Sequence, residues 1–127
     1  MTRLSAEHPY RICLKRVYEP AVPEDGYRIL VDRLWPRGVS KPEVAIDEWM
    51  KEIAPSPDLR QWFGHMPERF GEFSDRYIRE LEEEPERVRL AAKIMERALE
   101  QQVTLVYAAK DSIHNHAAVL YKRLLSR

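Results

Sequence analysis

One cysteine, Cys13, occurs in 127 residues, so no disulfide can close within the chain. A solitary thiol suits a reducing compartment, and no signal-like apolar stretch opens the sequence, so the expectation is a cytoplasmic protein. Cys13 lies in the β-like run Arg11-Ile12-Cys13-Leu14-Lys15, where it reads as a small buried hydrophobe rather than a reactive thiol. Glycine is scarce as well. Four in the whole chain leave no phosphate-cradling glycine loop, and no Gly-x-Ser-x-Gly elbow presents a serine nucleophile. No apolar run approaches the roughly 20 residues that a bilayer span needs, so no membrane partner is expected. There is no Cys/His quartet, and His114 and His116 stand two apart, so neither a metal nor a cofactor is expected. Net charge is missing too: 21 Lys and Arg balance 21 Asp and Glu, which leaves no global field to attract DNA or an anionic surface.

Apolar residues (44%) and charged residues (33%) stand in the proportion of a globular protein, and the length suits a single domain over 1–127 with a loose stretch at 1–10. The charge balance hides asymmetry. Residues 1–41 hold eight Lys or Arg against five Asp or Glu, while 66–86 hold three against eight. Residues 11–17 and 27–32 read as strands, the second by clean alternation of Tyr27, Ile29 and Val31 with Arg28, Leu30 and Asp32. Only about nine residues separate them, too few for a helical crossover, so they are expected to be antiparallel or not direct neighbours. Segment 43–53 fits a helix through Ile46, Trp49, Met50 and Ile53, or opens as a strand at Val44-Ala45-Ile46. Two helices follow. One starts near Pro67 with Phe70, Phe73, Tyr77 and Leu81 inward. Another starts at Pro85 with a stripe of Val88, Ala92, Met95 and Leu99, broadened by Ala91, Ile94 and Ala98. Between them Glu80, Glu82, Glu83 and Glu84 read as a solvated surface. Residues 103–108 are continuously apolar, as in a parallel strand buried on both faces. A last helix is expected over 113–126, capped by Asp111 or Ser112, with Ala117, Leu120, Tyr121, Leu124 and Leu125 inward. The pattern is α/β: a small, largely parallel sheet of three to four strands flanked by helices.

Two segments carry polar residues that a fold does not need: Asp32-Arg33-Leu34-Trp35-Pro36-Arg37-Gly38, and Ala109-Lys110-Asp111-Ser112-Ile113-His114-Asn115-His116. Each follows a predicted strand. If those strands run parallel, both loops lie at the carboxyl edge of the sheet, where α/β proteins gather ligands. The last helix would begin there, its free amides and dipole favouring an anion, with Arg33, Arg37 and Lys110 adding charge. Asp111 and Asn115 lie in the same loop, and Trp35 could stack on a planar ligand. In the turn-rich stretch 51–65, Trp62 and Phe63 read as core, and Ser56 can cap a helix through Asp58-Leu59. Ser56 and Arg60 join the ligand-binding candidates. For proton transfer the available groups are Asp32, Asp111, His65 and His114, of which Asp32, His65 and His114 are the catalytic candidates.

The segment Asp32 to Gly38, with Trp49-x-Lys51-x-x-Ala54-Pro55-Ser56 and Leu59-Arg60-x-Trp62-Phe63-x-His65, resembles the YeaO-like branch of domain-of-unknown-function family 488. The likeness continues through Phe73-x-x-x-Tyr77-x-x-Glu80-Leu81, Leu105-x-Tyr107-Ala108-Ala109-Lys110-Asp111 and His114-Asn115-x-Ala117-x-x-Leu120, covering roughly 11–125. It implies a compact α/β sandwich with those two loops as hallmarks, and it tilts 43–53 towards a strand, but it implies no activity. Other branches carry a Cys-His-Arg-type segment at the start of the last helix. His114-Asn115-His116 stands there in this chain, so a thiol mechanism does not carry over.

The leading expectation is a polar cleft for a small anionic, phosphate-bearing ligand or nucleotide, with any reaction left open. The alternatives are a nucleic-acid-binding protein using the basic first third, which zero net charge disfavours, and a protein interaction module using the acidic stretch or exposed tryptophans.

Overall fold

The computed structural model describes residues 9–126, so the expectation for the first ten residues falls almost wholly outside it. Four strands, β1 (Ile12–Arg16), β2 (Tyr27–Leu30), β3 (Glu48–Trp49) and β4 (Val103–Tyr107), form one sheet in the order β1-β4-β2-β3. Every pairing is parallel. Continuous apolarity put β4 in the middle, and all five of its residues are buried. It also separates β1 from β2, so the short β1–β2 connection never has to join neighbours. Gly26 closes that connection. Its φ is +66°, and a Cβ there would lie 2.2 Å from the Gln102 carbonyl oxygen, so only glycine lets Tyr27 N–H reach that oxygen at 2.8 Å and start the β2–β4 ladder.

The two faces of the sheet are covered differently. Ile12, Ile29, Val31, Val103, Leu105 and Tyr107 pack under the long helices α3 (Phe70–Glu83), α4 (Pro85–Glu100) and α5 (His116–Leu125). Leu30, Val106 and Val17 face a smaller cluster closed by Val44 of the one-turn helix α1 (Lys41–Val44), with Trp35, Val39, Ile46 and Trp49. Segment 43–53 is therefore neither a single helix nor a single strand: α1 ends at Ala45 in the left-handed region (φ 48°), two residues pair as β3, and a 3-10 turn spans Lys51–Ile53. On the loop-covered face, burial alone would raise the Asp25 carboxyl. The Val22 amide, Lys15 (3.1 Å) and Arg28 (2.6 Å) together hold it below its ordinary value.

The stripe expected on α4 is rotated. Val88 and Leu99 are 39% and 53% exposed and Ala92 faces solvent, whereas Arg87, Leu90, Ala91, Ile94, Met95 and Ala98 are buried. The reason is Arg87, whose Nε donates to the Ala54 carbonyl at 3.0 Å while its guanidinium pairs with Glu84. A charged side chain that buries its stem takes a core position that hydrophobicity alone would give to a neighbour. Of the glutamates expected on a solvated surface, Glu82, Glu83 and Glu84 are exposed, Glu82 pairing with Arg123 at 3.0 Å, whereas Glu80 is half-buried and accepts from Ser56 N and Oγ at 2.9 and 2.6 Å. Helix α5 starts at His116, later than expected, because Asn115 caps it by accepting from Ala118 N at 2.8 Å. Neither Asp111 nor Ser112 does so.

Tyr77 is fully buried and donates to the Ile53 carbonyl at 2.6 Å, fastening the 51–55 turn to α3. Replacing Tyr77 with Phe leaves that carbonyl unpaired, so denaturant unfolding of the variant should show a loss of about 1–2 kcal/mol. No loss would mean that the turn is held without it.

Candidate functional site

Because β2 and β4 are parallel neighbours, the loops that leave them emerge at the same edge of the sheet. They open onto one cleft of about 630 Å³. Arg33, Trp35 and Arg37 line it from the first loop, Lys110, Asp111 and Asn115 from the second, and Arg60 and His65 from the helix α2 (Pro57–Phe63) and the turn after it. The apolar part of the lining includes Leu34, Ala54, Pro55, Phe63 and Phe73.

Asp32 joins the two loops. Its Oδ2 accepts from Ala108 N at 3.0 Å, and its carbonyl accepts from Trp49 Nε1 at 2.8 Å. Its Oδ1 lies 3.3 Å from Nε2 of His116. That same Nε2 is 3.0 Å from the Val31 carbonyl, which can only accept, so Nε2 carries a proton. Arg16 supports the second loop from behind, donating to the Ala109 and Ala108 carbonyls at 2.9 and 3.1 Å.

The cations of the cleft differ in how far they are used. Arg33 reaches Glu52 at 3.5 Å and the Pro55 carbonyl at 3.4 Å, both long contacts, and its buried Nε has no partner among the described residues. Arg37, Arg60 and Lys110 are exposed and pair with no carboxylate among the described residues. Against these four cations the lining offers two carboxylates, Asp32 and Asp111. Both accept backbone amides. Asp111 takes those of His114 and Ile113, each at 2.9 Å, and the His114 ring at 2.8 Å. Those bonds, the His114 amide first, hold its carboxyl at about 2.

Two expected site residues are not in the cleft. Ser56 caps α2, accepting from Leu59 N at 3.3 Å, and its hydroxyl is donated to Glu80. His114 faces Asp111 and stands edge-on to Phe70, with ring centroids 5.1 Å apart. His116 lines the cleft in its place. Sequence reasoning weighed it only as a metal ligand, because the choice between the two histidines turns on where α5 starts. Asn115 and Trp35 do line the cleft but are engaged: the Asn115 amide donates to the Asp111 carbonyl at 2.8 Å and Trp35 Nε1 to that of Val39 at 2.9 Å. Tyr18, also in the lining and not foreseen, donates to the Arg37 carbonyl at 3.1 Å. Cys13 is not among the lining residues; its Sγ lies 3.2 Å from Thr104 Oγ1.

The sheet and the cleft define the molecule as an α/β protein with four parallel strands and a cation-lined cleft at their carboxyl edge. The chain belongs to the DUF488 family, in its YeaO-like part: residues 11–127 match the group described as "Inactive DUF488-N3 subclade". It is 50% identical over 106 residues to "Uncharacterized protein YeaO" of Escherichia coli K12, covering 84% of this chain and 90% of that one. It is 43% identical over 117 residues to "Uncharacterized protein Rv3073c" of Mycobacterium tuberculosis H37Rv, covering 92% and 96%. No solved structure matches. Among the described residues, no helix is long and apolar enough to cross a membrane.

Two measurements test this site directly. His65 follows Gly64 in the left-handed region (φ 59° and 54°), where a side chain costs about 1 kcal/mol or more. His65→Gly should therefore unfold at equal or higher denaturant concentration; clear destabilisation would show that the His65 side chain holds the turn. For Asp111, the folded carboxyl lies below its unfolded value, so the stability it contributes is present above about pH 4 and lost as pH falls through about 2. An NMR titration of that carboxyl should have its midpoint near 2, and an ordinary midpoint near 4 would mean that the turn bonds are absent in solution.

Proposed function

We propose that this protein holds a small phosphate-bearing anion in the cleft without transforming it chemically. The observation that carries the reading is the convergence of Arg33, Arg37, Arg60 and Lys110 on the edge of the sheet where α5 begins, three of them without a carboxylate partner among the described residues. Guanidinium groups suit phosphate because they bind it in a bidentate, charge-assisted fashion. The helix terminus adds partial positive charge to the same space.

The absence of turnover rests on what the reactive groups are already doing. Asp32 accepts a backbone amide on one oxygen while the other, without a hydrogen bond among the described residues, faces the His116 ring. Asp111 accepts two amides, His114 faces Asp111, and the Nε2 proton of His116 is directed at Val31. Cys13 sits in β1 rather than in the lining, so a thiolate nucleophile is not at hand. The word "inactive" in the description of the matching subclade agrees with this reading. His65 is the one expected acid/base residue in the lining with no hydrogen bond among the described residues, and by itself it supplies neither a nucleophile nor a partner acid. The rival nucleic-acid reading is weakened because three of the eight cations of the basic first third, Lys15, Arg16 and Arg28, are spent inside the fold on Asp25, the 108–109 carbonyls and the Val44 carbonyl. In the acidic stretch Glu80, Glu82, Glu84 and Glu86 pair with Ser56, Arg123, Arg87 and Arg89, which lowers the charge the stretch would offer a protein partner.

Thermal melts with inorganic phosphate and AMP test the proposal. At a ligand concentration of 100 Kd the stabilisation is about 2.7 kcal/mol, and Arg37→Ala should abolish most of the shift while folding normally, since Arg37 is exposed. Phosphate release from p-nitrophenyl phosphate should stay at background. No shift with either anion, or release that Asp32→Asn removes, would contradict the proposal.

A further inference from the structure

The cleft is much larger than a phosphate group. About 630 Å³ is the scale of a site for a drug-sized molecule, so there is room beside the phosphate for part of whatever carries it. Two features of the lining restrict what that body can be. The first is its apolar share: Leu34 (59% exposed), Trp35, Ala54, Pro55 and the stacked pair Phe63 and Phe73, with centroids 4.2 Å apart, all belong to the lining. The second is that the uncharged polar side chains of the wall, His65 apart, are largely used. Both ends of the Asn115 amide, the Trp35 N–H and the Ala108 N–H each have a partner within the protein. A sugar or polyol body would bring several hydroxyls to this wall. Besides the cations, only the His65 ring and one oxygen of Asp32 are polar side-chain groups there without a hydrogen bond among the described residues, so the rest would go unpaired. Leaving those hydroxyls desolvated and unpaired is costly.

Taking these together, and resting on the anion-holding reading above, we propose that the cleft selects a phosphate monoester carried on an apolar, ring-sized body rather than on a polyhydroxylated one. The phosphate meets Arg37, Arg60 and Lys110 at the charged side, and the ring displaces water from Leu34 and Trp35. Such a group has two sources, a free aryl phosphate or a phosphotyrosine side chain. The second is accommodated because Leu34 (59%) and Tyr18 (48%) of the lining stay exposed to solvent.

Isothermal titration calorimetry of the full chain with inorganic phosphate, glycerol 3-phosphate and phenyl phosphate separates the possibilities. The expected result is that phenyl phosphate binds at least about tenfold tighter than glycerol 3-phosphate, equivalent to about 1.4 kcal/mol. Leu34→Ser, at an exposed position that the fold does not need, should narrow that gap. If inorganic phosphate binds but the two esters bind alike, or glycerol 3-phosphate wins, the selectivity is refuted while the anion site stands. If none of the three binds, both readings fall. A phosphotyrosyl heptapeptide binding tighter than phenyl phosphate supports the inference with a protein side chain as the source. A weaker peptide supports it with a free aryl phosphate instead.

Discussion

One carboxylate decides whether this protein has a cleft at all. Asp32 leaves the end of β2 and takes the first amide beyond β4, that of Ala108, on its Oδ2. Its own carbonyl is held by the Trp49 indole, and its other oxygen faces the His116 ring. Loops that emerge from parallel neighbours have no reason of their own to stay together. A charge-assisted bond to a backbone amide, worth about 1.5–3 kcal/mol when partly buried, gives them one. The arginines of the first loop and the lysine of the second then share one space, because the carboxylate between them fixes the distance from one strand exit to the other.

The rest of the fold supports that arrangement. The long helices all cover one face of the sheet, and their polar side chains reach under the cleft: Tyr77 and Arg87 bind the Ile53 and Ala54 carbonyls, and Glu80 binds Ser56. The other face is covered by the first loop itself, packed through Trp35 against Trp49 with centroids 5.4 Å apart. Trp35 and Trp49 thus work mainly as fasteners, and most of the exposed surface of the cleft falls to arginine, lysine, histidine, leucine and Tyr18, with half-buried Trp35 beside them.

Much of this was legible from residue patterns. Continuous apolarity from Val103 to Tyr107 identified the central strand, alternation identified β2, and polar residues after both strand ends pointed to a shared edge. What the sequence left hidden were choices between near-equal neighbours. Val88 and Leu90 are both apolar, and only the reach of Arg87 to the Ala54 carbonyl decides which is buried. Asp111, Ser112 and Asn115 can each cap a helix. Asn115 prevails because Asp111 is spent on the turn before it, and that shift exchanges His114 for His116 in the cleft. Residues 43–53 mixed helical and extended signals because they contain one turn of helix, two residues of strand and a 3-10 turn in succession.

The central claim is that the Asp32 carboxylate, by binding the Ala108 amide, assembles the cleft. Amide hydrogen exchange and phosphate titration of Asp32→Ala, taken together, test it most directly. The account predicts faster exchange at Ala108, continued protection of Leu105 and Val106 within β4, and loss of phosphate binding. Phosphate bound by Asp32→Ala as tightly as by the unaltered protein would contradict it.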